Sequence, residues 1–297
     1  MKKHVCLLFL ILFICNCETG YDIRNDGPDY SGYFKPTWSP DASKVCFLAN
    51  KDGIFDIYIA NIDGSNPKAV FSGHINLDPE WSPLDNRIVF ASDKDNYRLT
   101  YNIFVVDSDG ENLVRLTVHS GIDTQPAWSP DGTEIAYISN SDGHRNIFII
   151  NSDGSNQRSI ARQIYGCESP TWSPDCSKIA FVRDYNEIYT INSDGSELQL
   201  LFSDSAHFHI RSLSWSPENG KIAFSLNNDI YTINSDGTEK VNLTNTYDAN
   251  IYPDWSPDGS RLINSYYKDE IWHDIYIMNA DGSNPRKIEI SGVFPYK

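Results

Sequence analysis

The tripeptide Trp-Ser-Pro occurs six times, beginning at Trp38, Trp81, Trp128, Trp172, Trp215 and Trp255, at intervals of 43, 47, 44, 43 and 40 residues. A second marker keeps step with it. An Ile-rich run closes each time on Asp-Gly, with the glycines at Gly64, Gly110, Gly154, Gly195, Gly237 and Gly282. A period of this size restricts a chain to propellers, solenoids and arrays, because each unit must bury its apolar face on its neighbours.

Residues 125–156 show the unit most clearly. Gln125-Pro126-Ala127-Trp128 leads into the corner Ser129-Pro130-Asp131-Gly132, where Pro presets φ and Gly fits the last position of a type I turn. The apolar run Ile135–Ile138 follows, then a polar loop, the run Ile147–Ile150 and the turn Asn151-Ser152-Asp153-Gly154. Four strands per unit are expected, here termed A to D. A ends at the tryptophan, B and C are the two apolar runs, and D is short, as in Leu113–Thr117 and Val241–Thr244. Runs that are apolar throughout suit sheets covered on both faces, as in radially stacked blades. The expected fold is therefore all-β, a six-bladed β-propeller of four-stranded antiparallel blades over residues 32–297. Ring closure is expected from an added strand at 21–30 or 293–297.

Asp107, Asp109 and Gly110 superficially resemble a calcium loop, but flanking helices and a bidentate Glu are missing, and a hairpin turn is the simpler reading. The 16-unit excess of negative charge excludes a nucleic-acid partner, which needs a basic footprint.

The N-terminus reads differently. Lys2 and Lys3 precede an unbroken apolar run from Val5 to Ile14, too short to span a bilayer but suited to an export signal. Ile14-Cys15-Asn16-Cys17 resembles a bacterial lipobox, with Cys17 the lipidated residue and Asn16 where the motif has a small residue. Residues 1–17 are thus expected to be a lipoprotein-type signal, and 18–31 a flexible tether. The expected location is the periplasm or the outer membrane surface, with a lipid anchor in the membrane. Cys46, Cys167 and Cys176 are an odd set and do not read as a disulfide framework; Cys46 reads as a core residue.

Pro-x-Trp-Ser-Pro-Asp-Gly, then Lys-Ile-Ala-Phe, then Asp-Ile-Tyr-x-x-Asn-x-Asp-Gly, then Leu-Thr is similar to the WD-like propeller repeat of the TolB family. The resemblance covers residues 32 to about 290. It implies a propeller-only envelope protein with a binding role, since only the short stretch 18–31 stands where TolB carries an α/β domain. TolB works in the periplasm with a peptidoglycan-associated lipoprotein, which implies a protein partner in the envelope here.

The A–B and C–D turns fall at one end of the blades and repeat closely. The B–C and D–A loops fall at the other end and hold most of the irregular sequence, where binding residues usually lie. The candidate binding residues are His74, His119, His144, His207, His209, His273, Tyr97, Tyr101, Tyr185 and Trp272. Tyr266 and Tyr267 join them, and Asp123, Glu168 and Asp248 precede A strands near the expected channel mouth. Three chemistries suit such a face. Aromatics favour a protein-binding surface. Imidazole with carboxylate suits a divalent cation, and oligogalacturonate lyases, metal-dependent enzymes with a similar repeat, keep a sugar-active enzyme as the alternative. A solvated loop face is the plain one: only His207 and His209 have ligand-like spacing. No Gly-x-Ser-x-Gly and no phosphate-cradling glycine loop occurs. The expected protein is a non-enzymatic binding module with no cofactor and no catalytic residue.

Overall fold

A computed structural model describes residues 31–51, 54–95, 100–118, 121–161, 164–206, 208–218, 220–246, 248–268 and 272–293. The expected leader, Cys17 and most of the tether lie outside them. No helix among the described residues is long and apolar enough to cross a membrane.

Each repeat contributes four strands. The first is β1 (Ser31–Trp38), β2 (Lys44–Lys51), β3 (Ile54–Asn61) and β4 (Lys68–Phe71). The second is β5 (Asn76–Trp81), β6 (Arg87–Ser92), β7 (Asn102–Asp107) and β8 (Val114–Arg115). The third is β9 (Asp123–Trp128), β10 (Glu134–Ser139), β11 (Asn146–Asn151) and β12 (Arg158–Ser159). The fourth is β13 (Cys167–Trp172), β14 (Lys178–Arg183), β15 (Glu187–Asn192) and β16 (Gln199–Ser203). The fifth is β17 (Ile210–Trp215), β18 (Lys221–Leu226), β19 (Asp229–Asn234) and β20 (Val241–Asn242). The sixth is β21 (Ala249–Trp255), β22 (Arg261–Lys268), β23 (Trp272–Asn279) and β24 (Arg286–Lys287).

The all-β reading stands, but the expectation of six separate blades is corrected. The strands fall into four four-stranded sheets and one eight-stranded sheet. Repeats two to five form the four separate blades. The first and last repeats are joined, because Ser31 and Gly32 of β1 pair in parallel with Trp272 and His273 of β23. The approach is close: a Cβ at Gly32 would lie 2.6 Å from the His273 nitrogen. No sequence marker announces this junction, since both strands also pair normally within their own repeats. The expected clasp segments, 21–30 and 293–297, lie outside the described residues except for Val293, which packs on the joint core of the first and last repeats.

Why the repeat carries tryptophan is plain from the packing. Trp81 packs with Ile57 and Val70 of the preceding repeat, Trp172 with Ile138 and Ile149, and Trp38 with Ile263 and Ile275. Two of them are capped by guanidinium groups of the preceding repeat: Arg87 lies 5.0 Å from the Trp128 ring and Arg261 5.0 Å from the Trp38 ring. The innermost strands β1, β5, β9, β13, β17 and β21 each lie against the next, and β21 lies against β1.

The Asp-Gly corners are hairpin turns. Gly64 N–H donates to Asn61 O at 2.8 Å, Gly64 has φ +84°, and Asp63 accepts the backbone and hydroxyl of Ser65. Glycine is required there twice over. A Cβ at Gly64 would sit 2.1 Å from the Glu289 carbonyl of the last repeat, and Gly195, Gly237 and Gly282 close equally on the preceding repeat.

Candidate functional site

The six A strands line a narrow central throat. The residue three before each tryptophan has left-handed backbone: Lys35, Asp78, Gln125, Ser169, Ser212 and Tyr252, with φ between 47° and 57°. In five of these the next residue is proline, which ordinarily drives its predecessor to extended backbone. A bulge in every A–B pairing accommodates the exception. The result turns these side chains inward as a girdle. Lys35 Nζ pairs with the Asp78 carboxylate and lies 4.8 Å from the Tyr252 ring. Asp78 Oδ2 accepts Gln125 N–H at 3.1 Å, and Gln125 Oε1 accepts Ser169 N–H at 2.8 Å. Burial pulls the Lys35 pKa down, but Asp78, Tyr252 and Glu168 together outweigh it and hold the ammonium above its ordinary value. The cavity measures about 80 Å³, well below the several hundred Å³ usual for a ligand pocket.

Two residues further along, four of the six A strands use a side chain between repeats. Asp254 accepts Trp38 N–H at 3.2 Å and the Ser214 hydroxyl at 2.9 Å. Glu80 accepts Trp128 N–H at 2.9 Å, Thr171 accepts Trp215 N–H at 3.2 Å, and Ser214 accepts Trp255 N–H at 3.2 Å. Burial pushes Glu80 up to about 8 and Asp254 up to about 6, against these hydrogen bonds. Both still border the throat's small cavity. Each carboxylate is occupied by a neighbouring strand's backbone, so the throat acts as a girdle that fixes neighbouring A strands. Reading for loops missed it; the available signal was Pro two residues before Trp in five of the six repeats.

The irregular rim holds the candidate side chains, in separate small groups. His74 stacks on Phe71 at 5.8 Å, with Nδ1 3.8 Å from Asp93. His144 packs on Tyr165 at 4.0 Å, and His209 on Tyr185 at 5.0 Å. Both of these pairs join a B–C loop to the D–A loop of the following repeat. Burial, then the Arg211 charge, lowers the His209 pKa. His273 is not on the rim surface. It is 1% exposed, held between Phe34 at 4.0 Å and Tyr267 at 4.3 Å, with neither ring nitrogen hydrogen-bonded. Burial lowers its pKa to about 3. Tyr101 is likewise a core residue, packed beside Ile103 and Tyr137. Asp123 is fully buried, the Tyr266 hydroxyl donates to Asp248, and Glu168 forms an ion pair with Arg145 at 2.6 Å. Burial raises the Glu168 pKa against the pull of Arg145. His119, His207 and Tyr97 lie outside the described residues, and of Trp272 only the backbone is described. Among the described residues, no group of three or more His, Cys, Asp or Glu is placed to hold a metal. The described cysteines are free; Cys46 and Cys167 are buried, and burial pushes the Cys167 thiol up to about 12.

A family model for the TolB beta propeller domain matches residues 75–247, more than half of the chain. The chain belongs to that family. The Tol-Pal system protein TolB of Bordetella pertussis is 28% identical over 145 residues, 34% of this chain and 33% of that protein. The crystal structure of TolB from Acinetobacter baumannii superposes with a TM-score of 0.65 at 19% identity, covering 86% of this chain and 63% of that one. An oligogalacturonate lyase in complex with manganese superposes with a TM-score of 0.61 at 16% identity, covering 87% of this chain and 77% of that one. At such identities the likeness is one of fold. This TolB-like chain spans between 23% and 40% of the length of the curated relatives it matches.

Proposed function

We propose that this chain is an exported binding module of the bacterial cell envelope, tethered to the membrane through a lipid on Cys17, that holds a protein partner on its irregular rim. The observation that carries the reading is a TolB-family propeller with one repetitive end and one end that departs from the repeat. The departing end presents exposed aromatic side chains, Tyr165 at 45% and Phe208 at 41%. Aromatic side chains carry much of the energy of protein interfaces. The name of the Bordetella pertussis relative, a Tol-Pal system protein, supports an envelope assembly. The throat gives a small ligand little support, since Lys35, Asp78, Glu80, Gln125 and Asp254 are spent on neighbouring strands and its volume is small. Among the described residues the histidines lend a metal-dependent reaction no support: His74, His144, His209 and His273 sit in four separate aromatic contacts.

The test is capture from bacterial envelope extract at low salt, using the full chain. A specific protein is expected, retained by wild type and lost on Tyr165→Ala with Phe208→Ala. Equal recovery by that double variant, or recovery of nothing, contradicts the reading. Mass spectrometry of the purified N-terminus tests the anchor: an acylated Cys17 is expected, and an unmodified downstream N-terminus rules it out. Bound metal after purification, together with an ultraviolet-absorbing product from acidic polysaccharide, would replace binding by lyase chemistry.

A further inference from the structure

The outer edges of the sheets are the D strands, and an exposed edge is a row of unpaired backbone groups that invites another strand. Proteins blunt such edges by keeping them short and by placing lysine on them. Five of the six D strands follow that rule. β8, β12, β20 and β24 are two residues each, and β4 is four. Every one of the five carries a cation in the strand or just before it: Lys68, Arg115, Arg158, Lys240 and the pair Arg286–Lys287. β16 breaks the rule on both counts. It is five residues long, Gln-Leu-Leu-Phe-Ser, and has no charge within it. Among the described residues it pairs with β15 alone. Leu198, just before the strand, and Leu200, within it, are 42% and 47% exposed, whereas Leu201 and Phe202 turn to the core.

We infer that β16 is an open edge that accepts an extended strand from a partner protein, apolar at alternate positions and basic at its ends. Strand addition of this kind takes affinity from main-chain hydrogen bonds and specificity from alternate side chains. Leu198 and Leu200 supply the alternate apolar contacts. Glu197 and Asp204 bracket the strand at its two ends, so charge complementarity selects a segment ending in Lys or Arg. The same bracket disfavours a second copy of this chain, since antiparallel β16 strands would set Glu197 near Asp204 of the other copy. Lys240 of the next repeat is engaged over the rings of Phe202 and Tyr231, 4.7 and 5.1 Å from their centroids. Two features bound the open stretch. A bulge at Leu201 interrupts the pairing with β15, as a bulge does in β4, and a Cβ at Gly237 of the next repeat would lie 2.6 Å from the Leu201 carbonyl. The accepting segment is therefore Leu198–Leu200. This surface is on the circumference of the ring and is independent of the rim proposed above.

The test uses the full chain and a fluorescein-labelled peptide, Lys-Val-Thr-Val-Thr-Val-Lys. Hydrogen–deuterium exchange with the peptide bound should slow at residues 198–200 and nowhere else. Leu200→Lys, which gives β16 the cation its five counterparts have, should weaken binding about tenfold or more by anisotropy, equivalent to ~1.4 kcal/mol. Val241→Lys on β20 should leave it unchanged, and matched thermal melts check that both variants fold. Protection spread equally over β8, β12 and β20, no binding at millimolar peptide, or equal loss in both variants overturns the inference. So does a concentration-dependent dimer of the full chain that Leu200→Lys abolishes, which would make a second copy the occupant.

Discussion

At the end of the blades that carries the A–B and C–D turns, one solution recurs. Asp41, Asp131, Asp175 and Asp258 each accept the serine two residues before them and the backbone two residues after. At the opposite end the side chains vary: a histidine packs on a tyrosine at two junctions, and an arginine pairs with a glutamate at one of them. The difference follows from packing. At the repetitive end, C–D glycines close on the neighbouring repeat's backbone, so the residue type is fixed by contact. At the irregular end neighbouring repeats also meet backbone to backbone, as where Asp123 N–H donates to Tyr101 O at 2.9 Å and Ile210 N–H to Tyr185 O at 2.7 Å, but no recurring glycine is demanded there and the loop side chains vary.

Paired glycine substitutions give the largest expected effect. Gly64 and Gly143 both have positive φ, +84° and +93°, but only at Gly64 would a Cβ meet backbone; around Gly143 nothing lies within 4 Å. Gly143→Ala should cost about 1 kcal/mol for the left-handed backbone alone, and Gly64→Ala about 3 kcal/mol or more because the turn must also move. Chemical denaturation of the two variants checks this, and equal costs would break the contrast.

Next comes pH, through the one irregular-end histidine that is fully enclosed. The His273 pKa is lowered by burial to about 3, against 6.5 in an open chain. The folded state therefore favours neutral imidazole. Its contribution is complete above pH 6.5 and is lost progressively as pH falls toward 3, by roughly 2 kcal/mol at pH 5. Glu80 and Asp254 act in the opposite sense. Their raised folded pKa values favour the protonated form, so their penalty is relieved as pH falls through about 8 and about 6. The informative quantity is thus the difference between wild type and His273→Leu at pH 7 and pH 5. The variant should lose the histidine's share of the acid sensitivity; an unchanged pH profile would show that the junction of β1 and β23 tolerates the charge.

Smaller effects separate the two ends again. Asp258→Ala removes a carboxylate held down to about 2 by Ser256, the backbone N–H of Ser260 and the Ser260 hydroxyl, and should cost about 1 kcal/mol. Tyr165→Ala, at the irregular end, should change stability by less than about 0.5 kcal/mol while abolishing partner capture. A thermal melt beside the capture assay reads both. A large stability loss at Tyr165 would mean that the irregular end is also fixed by packing.

Much of this was legible in the residues. Strands B and C announce themselves as apolar runs rich in Ile, and Asp-Gly marks every C–D corner, because local backbone demands leave a local trace. What the sequence did not show depends on neighbours distant in the chain. Lys35 and Asp78 meet across 43 residues, and their left-handed backbone before proline runs against local preference. The joining of the first and last repeats rests on two residue pairs, Ser31 with Trp272 and Gly32 with His273, with no motif. Tyr101 lies between Thr100 and Asn102, which read as loop, yet its ring is in the core. His273 was similarly placed by its loop rather than by the aromatic rings that enclose it.

The division of labour between the two ends is tested most directly by photo-crosslinking in the envelope. Leu84, on an A–B turn, is 66% exposed, and Tyr165, at the irregular end, is 45% exposed. A benzoyl-phenylalanine at each position, in the full chain, samples both ends with comparable access. The account predicts a discrete adduct with another envelope protein from position 165 and none from position 84. An adduct from position 84 alone, or the same adduct from both, would contradict it.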